Sequence, residues 1–292
     1  MARKVLLNET IPEGQGISGP WDAILLGRTQ REREFFNQRV QPAEVEEAAL
    51  RVPPDLEQEL EPEMVSLTRM MAGKTVCDYG CGWGILSSYY AQCGARVHCF
   101  DISEANIALT CRAARLNGVE GRLSAQVMAG EWLAYPQEFF DFVIGNAVLH
   151  HVDIVRAATE LRRVLKPGGR AIFVEPLGEN TLLEWARRSP LRSAAHQHSP
   201  DEHSLRYAEI HQLERFFERV EVRETRLLRM LVRALEEFPF GRADGARRNW
   251  LRPVSARLGR ADEWLLRRCP WLKPLCQYVV VTLEKRETRG VA

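Results

Sequence analysis

Apolar and polar residues follow two different periods along the chain, and the change between them divides it. Over residues 20–40, Trp21, Ile24 and Leu25, followed by Arg31-Glu-Arg-Glu-Phe-Phe36, recur at helical spacing, so a helix is expected there until Pro42 interrupts it. Pro53-Pro54 and Pro62 then bracket short helical pieces. From residue 74 the chain turns to short apolar runs separated by helical stretches. Thr75-Val-Cys-Asp-Tyr79 reads as a buried strand ending at glycines, and Ile85 to Cys93 has helical spacing. A second strand runs from Arg96 to Phe100 and ends at Asp101. Ser103 caps the next helix, with Ala105, Ile107, Ala108, Leu109 and Ala113 on its apolar side, and Asn117-Gly118 ends it. Strands at about 122–128 and 139–145, a helix at 152–165 stopped by Pro167-Gly168-Gly169, and a strand from Arg170 to Glu175 follow. This strand–helix alternation is the pattern of a doubly wound, Rossmann-like α/β sheet. A helix at 206–217 and strands at 218–224 and 277–283 complete it, with 226–275 too long for a hairpin loop and expected to hold helices.

Composition adds limits. With 292 residues and a 45% hydrophobic fraction the chain can bury a large core. A net charge of +1 excludes a wholly basic nucleic-acid coat. That balance hides segregation: residues 41–64 hold eight acids and one base, whereas residues 226–275 hold twelve bases and five acids. Each stretch reads as a solvated helix face, or the two touch each other, or one recruits a charged partner. The excess of Arg over Lys reads as genome composition. Seven cysteines fit reduced thiols better than a disulfide framework, and Cys77 and Cys81 lack a second pair to complete a zinc site. No stretch approaches the roughly 18 apolar residues of a membrane span, and the first residues do not form a signal peptide, so a cytoplasmic location is expected.

The chemistry begins at Asp78-Tyr-Gly80-Cys-Gly82-Trp-Gly84, between a strand and a helix, where alternate glycines allow a sharp turn and close backbone approach to a ligand. Asp101, at the end of the next strand, is placed to accept both hydroxyls of an adenosine ribose. Together with Phe140-Asp-Phe-Val-Ile-Gly-Asn146 and Leu165-Lys-Pro-Gly-Gly169, these segments resemble the class I S-adenosylmethionine-dependent methyltransferases over roughly residues 70–176. The resemblance implies a seven-stranded sheet whose last strand is antiparallel, with 218–224 sixth and 277–283 seventh. It implies S-adenosyl-L-methionine as cofactor. Gly80, Gly82 and Gly84 would line its methionine part. Asp78 would orient the loop and hold the amino group through a water. Asp101 would take the ribose, Ile102 would lie against adenine, and Asn146 would offer its carbonyl to the amine. Glu131 and Trp132 lie where relatives contact adenine. Ala129 stands where many relatives have Asp or Ser, so backbone groups of Gly130 and Glu131 would carry adenine recognition.

Asn146-Ala-Val-Leu-His-His-Val152, Glu175-Pro-Leu-Gly178 and Ser199-Pro-Asp-Glu-His-Ser-Leu205 further resemble a bacterial subgroup, with Glu179 where a His is common and Thr181 where a Pro is common. The candidate catalytic groups are His150 and His151 after the fourth strand, Glu175 at the end of the fifth, and His203 in an insertion; each has a structural alternative as a cap, ion pair or loop staple. His196 and His198 lack motif support, and no metal site is expected. Cys269-Pro270 reads as a helix end. Residues 226–275 mix Arg with Phe238, Phe240, Trp250, Trp264 and Trp271, and are read as a helical lid, an RNA-binding surface or a membrane-resting one. The expectation is an N-terminal helical cap over 1–70 and a methyltransferase domain over 71–292, with insertions 177–205 and 226–275 forming the substrate lid. The substrate is a small metabolite, nucleic acid is not the expected partner, and a homodimer is open. The alternatives are an RNA or protein methyltransferase, or a cofactor-binding protein without methyl transfer.

Overall fold

The computed structural model of the chain describes residues 20–187, 199, 201–230, 232 and 245–286. Its centre is a seven-stranded sheet in the order β3-β2-β1-β4-β5-β7-β6. The strands are β1 (Thr75–Tyr79), β2 (Arg96–Asp101), β3 (Leu123–Val127), β4 (Phe140–Asn146), β5 (Leu165–Pro176), β6 (Arg219–Thr225) and β7 (Tyr278–Glu284). The β1, β2, β3, β4 and β5 pairings are parallel, whereas β7 runs antiparallel to both β5 and β6, pairing Val174 with Val280 and Val222 with Val281. The strand order reverses beside β1 and β4, and the carboxyl ends of those strands open a crevice there, the usual ligand position in this kind of sheet.

Helices cover both faces. α2 (Pro62–Thr68), α3 (Ile85–Gln92) and α4 (Glu104–Leu116) lie on one side, α5 (Ile154–Val164) and α7 (Tyr207–Leu213) on the other, and α6 (Thr181–Arg187) follows β5. On the first face Met64, Leu67 and Tyr90 pack against Val76, Val97 and Ile144. On the second, Ala157, Ala158, Leu161 and Val164 of α5 meet Val143, Phe173 and Val281. The caps are those the side chains dictate: the Ser103 hydroxyl accepts from Asn106 N at 3.1 Å, and Asp153 accepts from Arg156 N at 2.9 Å.

Two features differ from the linear reading, and the late insertion holds a helix as expected. α5 runs directly into β5, and Lys-Pro-Gly-Gly lies inside the strand's first part as an irregularity between the Phe140–Leu165 and Phe142–Arg170 pairs. The helix expected over 206–217 stops at Leu213, and the long helix Gly245–Arg268 occupies much of the late insertion. It ends before Cys269-Pro270, as expected of a proline stop. The acidic and basic stretches do meet: Glu61, 3% exposed, accepts from Arg223 at 3.0 Å and from Arg226 at 3.1 Å, and Glu63 accepts from Arg223 at 2.7 Å. Burial pushes the Glu61 carboxyl up, but Arg226 and Arg223 outweigh it and hold the group below its usual value. Among the described residues no helix is long and apolar enough to cross a membrane.

Candidate active site

The turn after β1 is built by its glycines. Gly82 has φ +54 and Gly84 φ +75, the left-handed region that only glycine enters without strain. A side chain on Gly84 would sit 2.8 Å from the Thr110 backbone, whereas one on Gly82 would enter open space. Asp101 locks this turn to β2: its carboxylate accepts from Gly82 N at 2.9 Å, Ser103 N at 3.0 Å and Asn106 Nδ2 at 3.0 Å. Burial raises the Asp101 carboxyl, opposed by those three donors. Asp78 stands one layer back. It is 3% exposed, takes the Ser87 hydroxyl of α3, and burial pushes its carboxyl up to about 7.

Beside this turn lies a cavity of about 220 Å³. Gly80, Gly82, Asp101, Ile102, Gly130, Glu131 and Asn146 all line it, as do Tyr79, Met128 and Asn106. Gly84, Asp78 and Trp132 are not among its lining residues. Gly84 supports the start of α3, Asp78 fastens the loop to it, and Trp132 lies under the Arg156 guanidinium, 5.7 Å from ring centre. The Glu131 carboxylate accepts from Asp153 N at 3.1 Å and so ties the cavity wall to the start of α5. After β4 the backbone is bent at Ala147, a non-glycine residue at φ 55 that also lines the cavity.

Three residues of helix α1 (Pro20–Arg39) close the cavity: Thr29, Glu32 and Phe36. They come from the segment expected to be a cap, but a helical period alone names no ligand-facing residue in it. Glu32 is 2% exposed, lies 3.1 Å from His151 Nδ1, and accepts from the Ser199 hydroxyl. Phe36 meets the His151 ring edge-on at 5.3 Å.

The four candidate catalytic groups separate. His151 lines the cavity. His150, next to it on a single helical turn, is 3% exposed, and its Nδ1 lies 2.6 Å from Glu175. Glu175 is fully buried and also accepts from Val148 N and Leu149 N at 2.9 Å each. Burial would lower the His150 pKa, but Glu175 and Glu202 outweigh it and raise it to about 9, which makes the ring a cation at neutral pH. His203 is not beside the cavity: it is 40% exposed and pairs with Glu209 of α7 at 2.8 Å. His196, His198, Phe238 and Phe240 lie outside the described residues.

Sheet order, glycine turn and the acid ending β2 together are the arrangement of the class I S-adenosylmethionine-dependent methyltransferase fold. Residues 77–173 match the family model described as a methyltransferase domain. The chain is 37% identical over 107 residues to the ubiquinone biosynthesis O-methyltransferase of Rhizobium johnstonii, covering 36% of this chain and 42% of that protein. The protein of that name from Stutzerimonas stutzeri is 39% identical over 110 residues, covering 35% and 44%. The chain thus spans about two fifths of the length of the curated relatives it matches. Among solved structures, geranyl diphosphate C-methyltransferase from Streptomyces coelicolor A3(2) shares the fold at a TM-score of 0.55 and 16% identity, over 88% of this chain and 97% of that one. A geranyl diphosphate methyltransferase in complex with GPP and sinefungin gives 0.56 at 17% identity, over 89% and 99%.

Proposed function

We propose that the protein is an S-adenosylmethionine-dependent methyltransferase acting on a small hydroxylated metabolite. The observation that carries this is one cavity that gathers the Gly80–Gly82 turn and Asp101 together with Glu32, Phe36 and His151. The residues present fit the cofactor. Asp101 keeps acceptor capacity beyond its three donors, Gly82 opens onto empty space, and the buried Tyr79 hydroxyl at the cavity wall has no partner among the described residues. Asp101 would take the ribose hydroxyls, Ile102 and Met128 the flat apolar face of adenine, Gly130 and Glu131 its edge through backbone groups, and the Asn146 carbonyl the amine. Asp78 keeps the turn in place.

When bound, S-adenosylmethionine supplies an already activated methyl group, so the protein has to align a nucleophile and take its proton. His151 is the base on this reading. Glu32 orients its ring through Nδ1 and stabilises the charge the ring acquires. Glu175 and His150 are positioning residues: they hold the turn that presents His151. The curated relatives are named as O-methyltransferases, which supports oxygen as the methylated atom. On this reading the N-terminal region, through Thr29, Glu32 and Phe36 of α1, borders the substrate chamber, and the seven free thiols fit a cytoplasmic setting.

Isothermal titration with S-adenosylhomocysteine tests the cofactor site. D101A should bind about 10–100-fold more weakly than the parent protein, and equal affinity would remove Asp101 from the site. In a screen of catechol-like and other hydroxylated acceptors, H151A should lose about 10²–10⁴ in turnover while binding S-adenosylhomocysteine normally. H203A should retain turnover.

A further inference from the structure

Behind His151 the fold assembles a group of side chains that methyl transfer from a sulfonium does not itself require. His150 and His151 follow β4, and Glu202 comes from the 199–205 segment. One nitrogen of each imidazole and one Glu202 oxygen all lie within 4.8 Å of one another. His150 Nε2 and Glu202 Oε1 are 3.5 Å apart. That is long for a hydrogen bond, but it matches the separation of two ligands about 2.1 Å from a shared tetrahedral metal.

The outer contacts support the same arrangement. Each histidine has its Nδ1 against a buried carboxylate: Glu175, fully buried, lies 2.6 Å from His150, and Glu32, 2% exposed, lies 3.1 Å from His151. A carboxylate on Nδ1 fixes the ring and leaves Nε2 as the nitrogen to face a metal, the usual support for a metal-binding imidazole, and an ion bound there displaces the Nε2 proton that His150 otherwise carries. Glu202 is itself anchored, accepting from Ser199 N at 3.1 Å. Ser199 donates in turn to Glu32, so the two outer contacts share one framework.

We propose that His150, His151 and Glu202 form a binding site for one divalent transition metal of the zinc class, bordering the methyl-transfer cavity. Two imidazoles and a carboxylate suit such an ion better than magnesium or calcium, which prefer all-oxygen sets. Metal binding stands independently of the methyltransferase reading, and only its consequence rests on that reading. With an ion in place His151 would be a ligand rather than the base, and an acceptor hydroxyl bound to the ion would release its proton to solvent water.

The test uses the full chain, stripped with a chelator and then titrated with Zn²⁺ by calorimetry and with Co²⁺ by visible absorption, alongside S-adenosylhomocysteine binding on the same preparation. One Zn²⁺ per chain and a four- or five-coordinate Co²⁺ spectrum without sulfur charge-transfer bands are expected. E202Q should weaken Zn²⁺ at least tenfold while keeping S-adenosylhomocysteine affinity, and E175Q should weaken it about 10–100-fold. If E175Q does not fold, E202Q decides alone. Zn²⁺ bound as tightly by E202Q, a thiolate spectrum, or no stoichiometric binding overturns the proposal. Metal binding without S-adenosylhomocysteine binding would instead overturn the methyltransferase reading and leave the metal site standing.

Discussion

Gly82 and Gly84 share a left-handed backbone but have different surroundings, and substitution separates what each does. Both G82A and G84A cost about 1–2 kcal/mol for the left-handed backbone. G84A adds a collision with Thr110, so its melting temperature should fall further in a thermal scan. G82A places a methyl in open space at the cavity and should lose at least tenfold in S-adenosylhomocysteine affinity with the smaller loss of stability. Asp78 makes a pH prediction. Its carboxyl has a folded value of about 7, above its unfolded value, because of burial. The folded state therefore binds the proton more tightly, and stability declines as pH rises from about 4 to about 7. D78N can still accept from Ser87 and carries no such proton. Its melting temperature, measured across that window, should rise relative to that of the parent protein as pH increases.

Elements were legible wherever one period dominated. β1 and β2 lie where their apolar runs place them, Ser103 starts α4 as its side chain predicts, and α5 lies within the helix expected over 152–165. The start of β5 was not legible, because Pro-Gly-Gly reads as a loop when its pairing with β4 is unseen. The Glu61 clamp was visible only as opposite charge in two distant stretches. One buried carboxylate holds Arg223 on an edge strand and Arg226 just beyond it. E61A leaves two partly solvated guanidiniums and should cost about 2 kcal/mol in urea unfolding, below the range for a fully buried pair. The site divides the same way. Asp101, Gly80, Gly82, Ile102, Gly130, Glu131 and Asn146 follow strands in order, so a linear motif carries them to one edge. Glu32 and Glu202 reach the histidines from far along the chain, and adjacent histidines match no familiar ligand spacing.

At the scale of the whole molecule, the sheet is an inherited platform and the segments around it set what enters. Helix α1 shows how. It walls the cavity with Thr29, Glu32 and Phe36, yet its anchors are polar: Arg31 to Asp201 at 2.8 Å, Arg33 and Asn37 to Glu104, and Asn37 to the Ser103 hydroxyl at 2.7 Å. Exposed charge pairs of this kind weaken as salt screens them, while the buried Asp101 grip on the turn does not. The expectation is that a molecule seated in the cavity leaves when that wall parts. Dissociation of S-adenosylhomocysteine, followed by stopped flow, should therefore quicken with ionic strength. On the proposed function, the pace of turnover would then be set by the electrolyte around the first helix rather than by the sheet.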